Sequence, residues 1–180
     1  MDTHDSTYQA IRLSRPIVRA YFTPGDDGRL PYDVVAWCEP AKSGKSAIAG
    51  LVAEYVALHG ERNSAIIMAS NSQTQAASLM YKSLTDSVEA NPHLPRVDPN
   101  KWEVTFSNGN IVKAIASNSK SAAGSRFSLA LFDELWAYQY LDSQRLWTEH
   151  KTDPTRLNSM RFAIGYAGYA GEGELWQELL

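Results

Sequence analysis

Apolar positions fall into two rhythms along this chain, and the change from one to the other marks out its elements. Ile48, Leu51, Val52, Tyr55 and Val56 recur every three or four residues, the spacing of a helix packed by one face, with Gly60 as its stop. A second stripe, Ala77, Met80, Tyr81, Leu84 and Val88, closes at Asn91-Pro92. Before each helix lies a short uninterrupted apolar run, residues 34–38 (VVAWC) and 64–69 (SAIIMA). Strands apolar on both faces belong to a parallel sheet covered by helices, so this order predicts right-handed parallel crossovers. The rhythm then becomes alternation: Trp102, Val104 and Phe106, a two-residue turn at Asn108-Gly109, and residues 111–116 running back as a β-hairpin. Residues 117–128 are small and polar, a loop long enough to be functional, hinged at Gly124. Residues 129–132 form another short strand that runs into Asp133-Glu134, residues 141–149 a helix, and residues 161–166 a further strand. A helix predicted from residue 173 is still running at residue 180, which reads as a sequence that continues in its parent protein.

Composition narrows this picture. With 180 residues, 44% of them hydrophobic, the chain can bury one core, so residues 30–180 read as one domain behind a lead-in of residues 1–29. A net charge of −3 argues against coating nucleic acid by bulk charge, though it leaves room for a local basic patch. The lone Cys38 can form no internal disulfide and is expected as a small buried hydrophobe, which points to the cytoplasm. No apolar run is long enough to cross a bilayer, and the polar start MDTHDSTYQ is unlike a signal peptide.

The chemistry gathers at two places. In residues 34–50 (VVAWCEPAKSGKSAIAG) an apolar strand enters a turn of small and basic residues, and a helix begins near Lys45. That is the layout of a phosphate-binding loop, which needs inward N–H groups, an ammonium and a hydroxyl for Mg²⁺. Gly44, Lys45 and Ser46 match the end of GxxxxGK[ST], while Glu39 stands where the first glycine is expected. Lys42, Ser43, Gly44, Lys45, Ser46 and Ala47 are the candidate nucleotide contacts, and an amphipathic helix with a polar cap is the plainer alternative. The second place is LALFDE, two acids at the carboxyl end of a strand, where open α/β sheets bind ligands. Here Asp133 would hold Mg²⁺ together with Ser46, and Glu134 would orient and polarise an attacking water. The alternative is that the two acids merely begin a solvated helix. Phosphoryl transfer draws on further positive charge, for which Arg126 in the preceding loop is the first candidate, acting within the chain or on a neighbour, and an ordinary surface arginine is the alternative. Arg15, Arg19, Arg145 and Arg161 are weaker choices. Tyr21, Phe22 and Tyr32 offer a surface for an adenine ring or simply pack at an edge.

Four ordered segments, PAKSGKS, ASNSQTQAASLMY, SAAGSRFSLALFDELW and RFAIGYAGYAGEGELWQEL, together resemble the N-terminal ATPase domain of the large terminase subunit of tailed phages, from about Tyr21 onward. The resemblance implies an additional-strand, RecA-like P-loop NTPase fold, with a mainly parallel sheet flanked by helices and an inserted β-hairpin. It implies ATP and Mg²⁺ as ligands at Lys45, Ser46 and Asp133, Glu134 as the catalytic acid, and Arg126 as an arginine able to act in trans. Gly165, Tyr166, Ala167 and Gly168 match the segment that couples hydrolysis to movement. Implied partners are double-stranded DNA, a homo-oligomeric ring on a capsid portal and a small terminase subunit, in the host cytoplasm and with no membrane. Two positions depart from the family: Ala41 stands where an arginine is common, and Gly165 where Ser or Thr is common. The nuclease domain of full-length terminases is not in this chain, so DNA cleavage is not expected of it. A helicase-type or recombinase-type ATPase, or a non-catalytic assembly module, are the alternative readings.

Overall fold

The computed structural model describes residues 18–71, 80–94, 102–116, 126–166 and 173–180. Along the chain run β1 (Val34–Cys38), α1 (Lys45–His59), β2 (Ala65–Ser70), α2 (Lys82–Ala90), β3 (Glu103–Thr105), β4 (Ile111–Ala116), β5 (Phe127–Asp133), a 3-10 turn (Leu135–Ala137), α3 (Leu141–Glu149), β6 (Met160–Gly165) and α4 (Glu174–Gln177). The strands make one six-stranded sheet in the order β1-β6-β5-β2-β4-β3. All neighbours are parallel except the edge pair β3–β4.

Two apolar layers explain why β2, β5 and β6 show no alternation. Val35, Trp37, Ile66, Met68, Leu129, Leu131, Phe162 and Ile164 belong to one buried cluster with Ile48, Val52, Leu84 and Val88 of α1 and α2. Ile67, Ala69, Ala130, Phe132 and Ala163 belong to the other, with Leu135, Tyr138, Leu146, Trp147 and Trp176. Every residue of β5 is therefore buried, as expected for a central parallel strand.

Three expectations change. The hairpin is not an insertion, because β4 pairs in parallel with β2 and extends the main sheet, leaving β3 as its antiparallel edge. Its turn is wider than two residues: Phe106 and Asn110 close it, the Phe106 N–H donating to the Asn110 carbonyl at 2.8 Å. The side chains of Asn108 and Asn110 both donate to the Ala57 carbonyl at the end of α1, at 2.8 and 2.9 Å, and the fully buried Asn110 accepts the Ser64 N–H at 2.8 Å. Anchoring to the helix end, not hairpin twist, sets the loop length. The final helix is one turn, Glu174–Gln177, not a segment reaching residue 180. Among the described residues no helix is long and apolar enough to cross a membrane.

Candidate functional site

Sheet order decides what meets what. Because β6 lies between β1 and β5, the carboxyl ends of β1 and β5 flank that of β6, with Cys38 beside Gly165 and Asp133 beside Ile164. Two strand spacings of about 4.8 Å set the two rims of a cleft roughly 10 Å apart at the backbone, above the end of β6, and side chains from both rims meet across it. Backbone bonds fix both rims, Glu39 N–H to the Gly165 carbonyl at 3.1 Å and Glu134 N–H to the Ile164 carbonyl at 2.8 Å.

From the β1 side, residues 39–44 turn back into α1. Lys42 (φ 64°) and Gly44 (φ 87°) are both left-handed, and such residues in a tight turn are the backbone form that gathers N–H groups into an anion-binding concavity. Gly44 also stands as the N-cap of α1 with no side-chain cap and no acid within the first turn of the helix itself. Ser43 Oγ is buried with no partner, whereas Lys42 is exposed. Lys45, first residue of the helix, is only 4% exposed, and Ser46 and Ala47 are half-buried beside it.

From the β5 side come the acids. Ser46 Oγ lies 3.3 and 3.4 Å from the two oxygens of Asp133, and Lys45 Nζ is 3.3 Å from Glu134 Oε1. Burial pushes the Asp133 carboxyl up to about 6, the charge of Glu134 adding to the rise while Lys45 and the Ser46 hydroxyl oppose it. Glu134 itself is left-handed (φ 53°, ψ 52°), a sparsely populated state for a residue with a side chain. Its second oxygen, Oε2, accepts the indole N–H of Trp136. The Tyr166 ring completes the group, 5.9 Å from Lys45 Nζ and 5.0 Å from the Trp136 ring. Ser46 and Asp133 offer an oxygen pair of the kind hard cations take, and among the described residues no group of three or more metal-ligating side chains is gathered anywhere.

The structure thus brings together Lys45, Ser46, Asp133, Glu134 and Tyr166, with the loop of Lys42, Ser43 and Gly44 beside them. Arg126 does not join them. It precedes β5 while the acids follow it, so the length of the strand, about 20 Å, separates it from Asp133. It is exposed, its carbonyl accepts the Ala65 N–H, and its charge acts on Asp153. Arg161 is also at that far end, stacked 4.3 Å over Trp147. Tyr21 and Tyr32 meet edge to face at 5.6 Å, and Phe22 leans on Phe162, so the aromatic trio packs against the fold at the start of β1, away from the phosphate loop. Cys38 is exposed, not buried, because it is the last residue of β1 at the rim of the cleft. Ala167, Gly168 and Arg15 lie outside the described residues.

Gly165 has a packing reason. A Cβ there would sit 3.1 to 3.4 Å from three ring atoms of the fully buried Trp176, so the indole occupies the room a Ser or Thr side chain would need. Sequence reading assigned no part to Trp136 or Trp176. The signal for Trp136 was its place two residues beyond Glu134 in a strand-end turn, within reach of that carboxylate.

Comparison with known proteins agrees with this architecture. The chain is similar to the crystal structure of the bacteriophage HK97 large terminase, with a TM-score of 0.64 and 20% identity, over 85% of this chain and 32% of that one. The fold is terminase-like. The chain spans about a third of the terminase's length, and at this identity the likeness speaks for the fold alone. No protein-family model and no curated protein matches the sequence.

Proposed function

We propose that this domain is an Mg²⁺-dependent ATP hydrolase of the P-loop class, serving as the ATPase of a phage DNA-packaging motor. One observation carries the reading: Lys45 and Ser46 at the start of α1 meet Glu134 and Asp133 at the end of β5, 87 positions away in the Ser46–Asp133 pair, in a cleft rimmed by an uncapped helix N-terminus. An ammonium, a hydroxyl and two acids around an anion-binding turn are the parts that phosphoryl transfer to water uses. The strand between β1 and β5 agrees with the additional-strand arrangement that the resemblance implies. Support for the packaging role is narrower, namely the sequence motifs and the terminase-like fold.

Each residue then has a part. The N–H groups of residues 42–46 and the Lys45 ammonium bind the β- and γ-phosphates, and Ser43 Oγ, unpartnered in the loop, donates to a phosphate oxygen. Ser46 and Asp133 fit a Mg²⁺ ion, because it takes one or two protein oxygens beside phosphate and water oxygens, and Asp133 is deprived of solvent where a cation would restore its charged form. When bound, that ion offsets charge on the phosphoryl oxygens. Phosphate entering the cleft takes Lys45 from Glu134. Glu134 then holds and polarises the water that attacks the γ-phosphorus as the bond to the β-phosphate oxygen breaks. Any part for Arg126 is played at the site of a neighbouring copy, as the resemblance implies. In a packaging ring, the partners are double-stranded DNA, the portal and a small subunit, and Tyr166 begins the segment that passes on the movement.

ATP turnover measured with and without Glu134→Ala tests this reading, with ATP·Mg²⁺ titration by calorimetry alongside. Loss of the general base lowers turnover by about 10²- to 10⁴-fold while ATP still binds. Unchanged turnover in the variant removes the assignment, and absence of any binding heat favours a non-catalytic assembly module.

A further inference from the structure

We propose that Trp136 is a positioning residue for Glu134, holding its carboxylate in register with the exit of β6 and with α4. The inference rests on the hydrolytic reading of the site and names a residue that reading does not need. Glu134 is held in a left-handed conformation of the kind that persists only where the surroundings over-determine it. Four contacts do so: its N–H donates to Ile164, its carbonyl accepts the Ala137 N–H at 2.8 Å, Lys45 takes Oε1 and the Trp136 indole takes Oε2. Only the last can persist on Glu134's side chain once a phosphate has taken Lys45. An indole N–H donates and cannot accept, so it fixes which oxygen is occupied and leaves Oε1 to face a water.

Trp136 is in turn clamped. Its ring tilts on Tyr166 at 5.0 Å, the residue that follows β6. Behind it, Gly173 is left-handed (φ 68°), and a Cβ there would lie 2.7 Å from both Cα and the carbonyl oxygen of Trp136, so only glycine lets the start of α4 press onto this turn. Trp176 of α4 seals Gly165 from the other direction. Trp136 therefore touches the acid and the β6 exit through its indole, and the segment leading to α4 through its backbone and Cβ.

Trp136→Phe keeps a ring against Tyr166 and removes only the N–H. We expect kcat to fall by about tenfold or more from loss of alignment, with KM and ATP affinity within about twofold of wild type and an unchanged unfolding midpoint. Because the indole is bonded to a carboxylate that leaves Lys45 when phosphate arrives, ATP·Mg²⁺ should change the intrinsic fluorescence of the wild-type chain, with or without turnover, and that change should vanish in Trp136→Phe. Turnover in Trp136→Phe equal to wild type, or the same fluorescence response, overturns the inference and leaves the hydrolase reading standing. A joint fall of kcat, affinity and midpoint makes Trp136 structural and also overturns it. A wild-type chain that binds no ATP overturns the reading beneath, and the inference with it.

Discussion

Two aspartates at opposite ends of the sheet show how differently this fold treats its charges. Asp153, near the starts of β5 and β6, accepts the N–H and the hydroxyl of Thr155 at 2.8 and 2.6 Å, which with the charges of Arg126 and Arg156 hold its carboxyl below the usual range. Asp133, at the other end, is 3% exposed, and burial next to Glu134 raises it to about 6. Around Asp153 the loops are stitched by Arg156 to the carbonyls of Arg62 and Asn63 and by Asn158 to Leu30, Gly28 and Glu61. Around Asp133 the chain uses a left-handed glutamate, a left-handed lysine, an unpartnered serine and a helix start without a cap. Both ends hold buried polar atoms without a partner, Asp153 Oδ2 and Ser64 Oγ at one and Ser43 Oγ at the other, but only around Asp133 does this coincide with an acid whose carboxyl burial pushes up. That contrast, more than any single distance, supports the cleft as the proposed site.

Asp133→Asn would break the contrast most sharply. Activity should drop by orders of magnitude, since the proposed metal oxygen is lost. Stability should move the other way. A carboxyl raised from 3.8 to about 6 in the folded chain holds its proton longer than in the unfolded chain, so its burial costs nothing below about pH 4. The cost grows as pH rises through the window and is complete above about 6, at most about 3 kcal/mol for a shift of this size. In chelator, urea unfolding at pH 7.5 should therefore find the Asn variant more stable than wild type, with the gap closing near pH 4. A variant less stable at both pH values would show that Asp133 is a structural acid like any other.

Most of the sheet was legible because parallel strands buried on both faces write their length into uninterrupted apolar runs. Val34–Cys38 was read to the residue, and so was the helix Leu141–Glu149. The candidate site was legible where short motifs sit next to strand ends, as Lys45 and the two acids do. What escaped depended on contacts across the sequence. Asn110 was given no part beside the Asn108-Gly109 turn, and its bonds to Ala57 and Ser64 are 53 and 46 positions away. Gly165 looked like a missing hydroxyl until Trp176 was seen against it. Whether Arg126 serves its own site or a neighbour's was open in the sequence, and a strand of seven residues carries it away from the acids of its own chain.

At the end away from the cleft, Asn110→Ala should cost about 1 to 3 kcal/mol, because the buried Ser64 N–H loses its acceptor, and nucleotide affinity should not follow. Thermal unfolding and an ATP titration on one preparation would separate the two. Gly165→Ser is the smaller counterpart in the cleft. Overpacking of this kind costs roughly 1 to 3 kcal/mol, and the low end applies if the Trp176 ring gives by a few tenths of an ångström. A gain in turnover there would mean that the restored hydroxyl reaches the phosphate despite the indole.

The smallest effect should come from Asp153→Ala, and its sign is the useful part. A carboxyl held below its usual range lends stability above the unfolded value of about 3.8 and loses it as pH falls through the lower folded value. Replacement should therefore lower the unfolding midpoint slightly at pH 7 and leave it unchanged in strong acid, the reverse of Asp133→Asn, whose benefit appears only as pH rises. Solvent screening keeps the Asp153 effect small, since its partners Thr155 and Arg126 are exposed. If both aspartates instead gave the same pH trend, the opposition between the two ends of the sheet would fail, and the buried acid would lose its standing as a carboxylate this fold holds at a loss.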